Sequence, residues 1–173
     1  MKDENIMRKI IVDKLTLNIG VGKDQVKLEK AEKLLKKLTG IAPVRTKTDK
    51  RIAAWGLRPG LPIGCKLTLR GSKALEMIPR VLFATDMKLG RNNFDDHGNI
   101  SFGIKEYIDV KDAKYDPEIG SMGLQATITL KRPGFRIKDR KLLKRKIPKK
   151  HKISREEAID FMIKNFGLKI NEE

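Results

Sequence analysis

The hydropathy pattern predicts an α+β fold: an antiparallel sheet with helices packed on one face, an open second face, and a basic arm near the C-terminus. Three observations carry this. Four segments alternate aliphatic with polar residues, as strands buried on one side only must. Segments with apolar residues at helical spacing lie between and after them. Lys and Arg crowd into 131–152, where 12 of 22 residues are basic and Asp139 is the one acid.

Taken in order, Leu15, Leu17, Ile19 and Val21 alternate with Thr16, Asn18, Gly20 and Gly22 as a half-buried strand. Asp24 caps a helix carrying Ala31, Leu34, Leu35 and Leu38 at helical spacing, with Glu29–Lys33 and Glu32–Lys36 as i,i+4 pairs and Gly40 as its stop. A short strand spans 43–47. Gly56, Pro59, Gly60, Pro62 and Gly64 punctuate a loop, and Cys65, Leu67 and Leu69 then alternate with Lys66, Thr68 and Arg70. Ala74, Leu75, Ile78, Val81 and Leu82 read as a helix that Pro79 kinks or breaks. After the turn at 95–99, Ile100, Phe102 and Ile104 form a strand, and Leu124, Ala126, Ile128 and Leu130 the last one. Ser154 and Glu157 form a capping box ahead of a helix with Ile159, Met162, Ile163 and Phe166 on its apolar face and Gly167 at its end. The expected organisation is one α+β unit over 1–131, a basic extension over 132–153, and a C-terminal helix over 154–173 packing back on or beside it.

The 173 residues carry 39 Lys and Arg against 22 Asp and Glu, a formal charge of +17. Such an excess calls for a polyanion, which is nucleic acid or an anionic membrane surface. A membrane reading fails on two counts: no apolar run approaches the ~20 residues of a span, and the arm lacks an apolar stripe opposite its charge. No signal segment follows Met1, and a lone Cys65 forms no internal disulfide, so a cytosolic protein is the simplest reading. An enzyme acting on nucleic acid would need clustered carboxylates, a metal site or a cofactor loop. Cys65, His97 and His151 have no metal-ligand spacing, and Asp95 with Asp96 reads as a turn. Gly20-Val21-Gly22 lacks the third glycine of a dinucleotide loop, though a phosphate at the following helix N-terminus stays open. No catalytic residue, metal, cofactor or small-molecule substrate is expected.

The open face supplies Arg45, Lys47, Lys66 and Arg70 for phosphates, and Asn18, Thr46, Thr68, Gln125 and Thr127 for sugar hydroxyls and base edges. It is poor in aromatics, which favours folded RNA read by shape and 2′-OH over single strands stacked on rings. The arm is expected to be largely mobile when free, with His151 solvated or on a phosphate.

The stretch Leu61-Pro62-Ile63-Gly64-Cys65-Lys66-Leu67-Thr68-Leu69-Arg70-Gly71 resembles the signature of the large-subunit ribosomal protein family called L-five, which binds 5S rRNA. Asn18-Ile19-Gly20-Val21-Gly22, Leu38-Thr39-Gly40, Pro43-Val44-Arg45-Thr46-Lys47, Phe94-Asp95-Asp96-His97-Gly98-Asn99 and Ser101-Phe102-Gly103-Ile104-Lys105-Glu106 fall in the family's order. Tyr115-Asp116-Pro117-Glu118-Ile119-Gly120 and the arm with Arg145-Lys146-Ile147-Pro148 resemble its archaeal and eukaryotic branch. The resemblance implies a structural constituent of the cytoplasmic large ribosomal subunit. Such a protein anchors 5S rRNA in the central protuberance and touches large-subunit rRNA, the P-site tRNA elbow and a small-subunit head protein. Carried over by position, it implies rRNA contacts at Asn18, Gly20, Gly22, Arg45, Thr46, Lys47, Lys50, Arg51, Lys66, Thr68 and Arg70. In the arm it implies them at Arg132, Arg136, Arg140, Lys141, Lys144, Arg145 and Lys146. The loop with Trp55, Gly56, Leu57, Arg58, Pro59 and Gly60 is implied to reach the tRNA, with Pro59 and Leu61 standing where many relatives carry charge.

Overall fold

The structure, a computed structural model, describes residues 5–171. The start of the chain read above for a signal segment (1–4) and the end of the expected C-terminal unit (172–173) lie outside the described residues. Strand β1 (Ile11–Gly20) leads into helix α1 (Gln25–Thr39), then β2 (Val44–Lys47), β3 (Pro62–Leu69) and helix α2 (Ser72–Phe83). Short β4 (Lys88–Gly90), β5 (Asn99–Ile104), β6 (Leu124–Lys131), helix α3 (Arg155–Phe166) and short β7 (Lys169–Asn171) complete the order. The five longer strands form an antiparallel sheet in the order β2-β3-β1-β6-β5. Helices α1 and α2 pack on one face of it, so the fold is α+β.

The core follows from the alternation. Leu15, Leu17 and Ile19 of β1, Cys65, Leu67 and Leu69 of β3, and Ala126, Ile128 and Leu130 of β6 are buried against Leu28, Ala31, Leu34 and Leu35 of α1 and Ala74, Ile78, Val81 and Leu82 of α2. Asp24 caps α1 by accepting from the Val26 and Lys27 N–H groups, at 3.0 and 3.2 Å. Gly40 ends it at φ +71°, a conformation that costs other residues strain. The Ser154–Glu157 capping box of α3 is formed on both sides.

Several expectations need correction. β1 begins at Ile11 and ends at Gly20, leaving Val21 outside the strand. The Val21 and Gly22 N–H groups both donate to the Ile63 carbonyl, which turns the chain there. Helix α2 runs through Pro79 without a break, because Pro79 and Leu75 lie on its exposed side, where the carbonyl that Pro79 cannot bond meets water. The i,i+4 pairs on α1 are replaced by longer-range ones: Glu32 pairs with Arg45, Lys33 with Glu118 and Lys37 with Asp116. On α3, Ala158 and Met162 carry the burial and Ile163 turns outward. The parallel β4–β7 pair was not foreseen, since three-residue strands leave no alternation to read.

Besides the β4–β7 pair and the buried Ile153, Ala158, Met162 and Leu168, a buried cation fastens the C-terminal region. Arg132, 5% exposed, donates from Nη2 to Glu157 Oε1 at 2.6 Å and from Nη1 to the Lys152 carbonyl at 3.1 Å. His151 Nε2 lies 2.8 Å from the Pro133 carbonyl, and its ring meets the edge of Phe135. Phe135 and Ile153 are buried. Both ends of the basic extension are therefore part of the fold, and its exposed portion is the stretch between them.

Candidate nucleic-acid interface

The strand register assembles the open face as rows across the sheet, because residues paired directly in antiparallel strands share a side. One row holds Thr46, Gly64 and Gly20, and the next Val44, Lys66, Asn18, Gln125 and Gly103. A third holds Thr68, Thr16, Thr127 and Ser101, and a fourth Lys14, Thr129 and Asn99. Neighbours within the rows bond to one another: Asn18 Nδ2 donates to Gln125 Oε1 at 3.1 Å, and the Ser101 and Thr127 hydroxyls are 3.2 Å apart. These four side chains are short and polar, and each pair is held by its own bond. The result is a layer of hydroxyls, amides and glycines with Lys14, Lys66 and Val44 among them, suited to ribose 2′-OH groups and backbone oxygens more than to stacked bases.

Of the residues named from sequence, Asn18, Gly20, Thr46, Lys66 and Thr68 come together in these rows. Arg70 lies just past β3, where Asp13, the bulged residue of β1, accepts from Arg70 Nη1 at 3.1 Å and Lys131 Nζ at 2.7 Å. Burial raises the Asp13 pKa, but the Lys131 hydrogen bond and the charges of Lys131, Arg70 and Lys14 outweigh it and hold the carboxyl below its usual range. Asp13 thus stays ionised and fixes two cations at the rim of the face. Lys47, Lys50 and Arg51 are exposed at the opposite rim, where the chain leaves β2.

Three placements depart from expectation. Arg45 pairs in register with Cys65, a core residue, so it lies on the helix side of the sheet, where its guanidinium donates to both Glu32 oxygens, Nη2 to Oε2 at 3.1 Å. Arg132 is buried in the C-terminal fastening, and His151 turns its Nε2 to the Pro133 carbonyl. At the N-terminus of α1 the Asp24 carboxylate takes the Val26 and Lys27 N–H groups and the Gly22 N–H serves Ile63, so an acid already stands where an anion would bind. Arg136, Arg140, Lys141, Lys144, Arg145 and Lys146 are exposed in the arm.

The loop between β2 and β3 is a built structure. Thr48 N–H donates to the Leu61 carbonyl at 3.0 Å and Gly60 N–H to the Thr48 carbonyl at 2.8 Å, while Ile52 and Leu57 bridge its tip. Leu57 turns inward and anchors it, so this member of the expected contact set is buried. Trp55 stands 67% exposed, with Gly56, Arg58, Pro59 and Gly60 beside it at the surface.

Sequence reasoning passed over Lys14, Asn99, Ser101, Gly103 and Thr129 as members of the face. For three of them the signal was present in β5, where Asn99, Ser101 and Gly103 alternate with buried Ile100, Phe102 and Ile104. Nothing in this constellation resembles a reaction centre. Cys65 is buried, and burial pushes its thiol up to about 11, so it stays protonated and inert at neutral pH. Among the described residues, no group of three His, Cys, Asp or Glu could hold a metal ion, and no helix is long and apolar enough to cross a membrane.

Two family models and named relatives match nearly the whole chain. Residues 5–58 match the family model described as ribosomal protein L5, and residues 62–170 match the model for the C-terminus of the same ribosomal family. The large ribosomal subunit protein uL5 of Sulfolobus acidocaldarius is 47% identical over 171 residues, covering 99% of this chain and 96% of its own length. Proteins of the same name from Nanoarchaeum equitans and Sulfurisphaera tokodaii are each 47% identical, over 96% and 97% of this chain and 99% and 96% of their own lengths.

Proposed function

Because this chain belongs to the L5 family of large-subunit ribosomal proteins, a structural and non-enzymatic component of the ribosome, we propose that its open sheet face holds 5S rRNA and attaches it to the subunit. The observation that carries this is the face itself: rows of hydroxyl and amide side chains, two pairs of them bonded, with Lys14 and Lys66 among them, glycine at one end and cations at both rims. Such a surface binds by shape and phosphate charge. Asn18, Gly20, Thr46, Lys66 and Thr68 meet ribose and backbone, and Lys47, Lys50, Arg51 and Arg70 neutralise phosphates. Gly22 contributes through its place in the turn, and Arg45 and Arg132 leave the contact set for the reasons given above.

The two ends of the sheet serve different neighbours in this reading. The Trp55–Gly60 loop reaches the P-site tRNA elbow, with Trp55 and Arg58 as its contacting side chains. The arm reaches large-subunit rRNA through Arg136, Arg140, Lys141, Lys144, Arg145 and Lys146. The cytoplasmic large subunit, in its central protuberance, is the setting, and a small-subunit head protein is the partner across the subunit interface.

The test is a titration of purified protein against 5S rRNA and a length-matched unrelated structured RNA at several salt concentrations. Wild type prefers 5S rRNA at physiological salt. Lys66→Ala weakens that binding and flattens the salt slope by about one, while Arg45→Ala leaves the slope unchanged. Equal, steeply salt-sensitive binding to both RNAs would defeat the reading.

A further inference from the structure

The most basic part of the arm contains two leucines in an unexpected place. Seven of the eleven residues in 136–146 are Lys or Arg and one is acidic. At their centre Leu142 and Leu143 are each 78% exposed. A solvated charged loop gains nothing from adjacent leucines, whose exposure is unfavourable in water.

The loop that carries them is shaped. Arg145 N–H donates to the Ile137 carbonyl at 3.1 Å, closing residues 137–145 on themselves, and Arg140 N–H donates to the Arg136 carbonyl at 3.0 Å. Arg140 Nε donates to the Leu143 carbonyl at 2.9 Å. Leu143 is held at φ +52°, a left-handed conformation that a leucine adopts only under constraint. At the base, Lys138 Nζ sits 5.2 Å from the centre of the buried Phe135 ring. Local bonds and a strained backbone thus set two apolar side chains at the tip of a loop rimmed with cations.

We propose that this tip is an RNA wedge: Leu142 and Leu143 insert against ribose and base faces at an irregular site in large-subunit rRNA, while Lys141, Lys144 and Arg145 grip the flanking phosphates. Charge complementarity selects RNA as the occupant, since the surface receiving the tip must accept a net +6 from eleven residues. The leucines select the kind of RNA. A regular A-form helix hides its base faces, whereas bulges and internal loops present unstacked bases to apolar contact. The wedge rests on the ribosomal reading above and adds to it an apolar, salt-independent part of the arm's binding.

The test uses the full-length chain with purified large-subunit rRNA as the probe, titrated at several salt concentrations, with nucleotide-resolution chemical reactivity read in parallel. The variants are the double substitutions Leu142→Ser with Leu143→Ser, and Lys141→Ala with Lys144→Ala. Both leucines are exposed, so the leucine variant keeps the wild-type melting curve. It is expected to bind roughly tenfold to a hundredfold more weakly with an unchanged salt slope, and to lose a reactivity change confined to a few nucleotides. The lysine variant lowers the slope by about two and keeps that local change. A leucine variant indistinguishable from wild type in affinity and reactivity would overturn the wedge alone. Wild-type protein with no affinity for the rRNA would overturn the proposed arm contact together with the wedge, and would leave the sheet-face reading to its own titration against 5S rRNA.

Discussion

At the scale of single residues, the interface depends on a glycine that touches nothing charged. A Cβ placed on Gly64 would lie 2.6 Å from the Ile19 carbonyl and 3.1 Å from Thr46 Oγ1. The carbonyl is backbone and cannot swing aside, so β1 and β3 would have to separate where Gly20, Gly64 and Thr46 form the end row. Gly64→Ala is expected to cost about 1–3 kcal/mol of stability, the usual range for overpacking, measured as a lower urea midpoint with an unchanged slope. In the sequence Gly64 reads as loop punctuation, because its need for close approach depends on which residue lies across the strand, and the sequence does not carry the register. Arg45 was misplaced for a related reason. β2 has four residues, its apolar Val44 faces the open side, and alternation over so short a strand cannot say which side is the core.

At the scale of elements, α3 is held through its first turn. Glu157 closes the capping box and accepts from Arg132, so one carboxylate serves the helix terminus and the buried cation together. Burial raises its pKa, but the Ser154 N–H and Arg132 prevail and hold it below the usual glutamate value. The folded state thus favours the ionised form. The resulting stability is complete above the unfolded pKa, near 4.3, and is lost as pH falls through the lower folded value. Glu157→Gln is expected to cost about 1–2 kcal/mol at pH 6, modest because the carboxylate is 44% exposed. The gap between wild-type and variant urea midpoints should narrow by pH 3. If the gap were the same at both pH values, Glu157 would be acting through packing alone. The capping box was legible as Ser-x-x-Glu, and the helix with it. The role of Arg132 was not, since one buried cation in a run of solvated ones has no sequence mark of its own.

At the scale of the whole molecule, charge is sorted to the two ends of the open face. Lys47, Lys50, Arg51 and the Trp55 loop lie at one end, and Arg70, Lys131 and the arm at the other. β1, ten residues long, separates them by about 30 Å at the usual rise of a strand. One body can therefore hold two neighbours apart while gripping a third between them. The cost is self-repulsion from a charge of +17. Raising NaCl from about 20 mM to 500 mM is expected to raise the melting temperature of the free protein, as the ions screen that repulsion. A melting temperature independent of salt would mean that pairs such as Arg70–Asp13 and Arg45–Glu32 already neutralise it locally. The one-sided strands, the helices and the charge balance were all plain in the sequence. The distribution of the cations was not, because it follows from sheet order.

Sheet order also sets a schedule. β6 is made last of the five strands, yet it lies between β1, made first, and β5. As the chain emerges vectorially from the ribosome that synthesises it, residues up to Leu69 supply only the β2-β3-β1 half, and β5 has no sheet partner until residues 124–131 arrive. The rows through Gln125, Thr127 and Thr129 cannot exist before then, and Arg132 finds Glu157 later still. A nascent chain thus carries half of the open face for most of its synthesis. On the proposed reading, full grip is withheld until the chain is nearly free, which separates making this protein from assembling it.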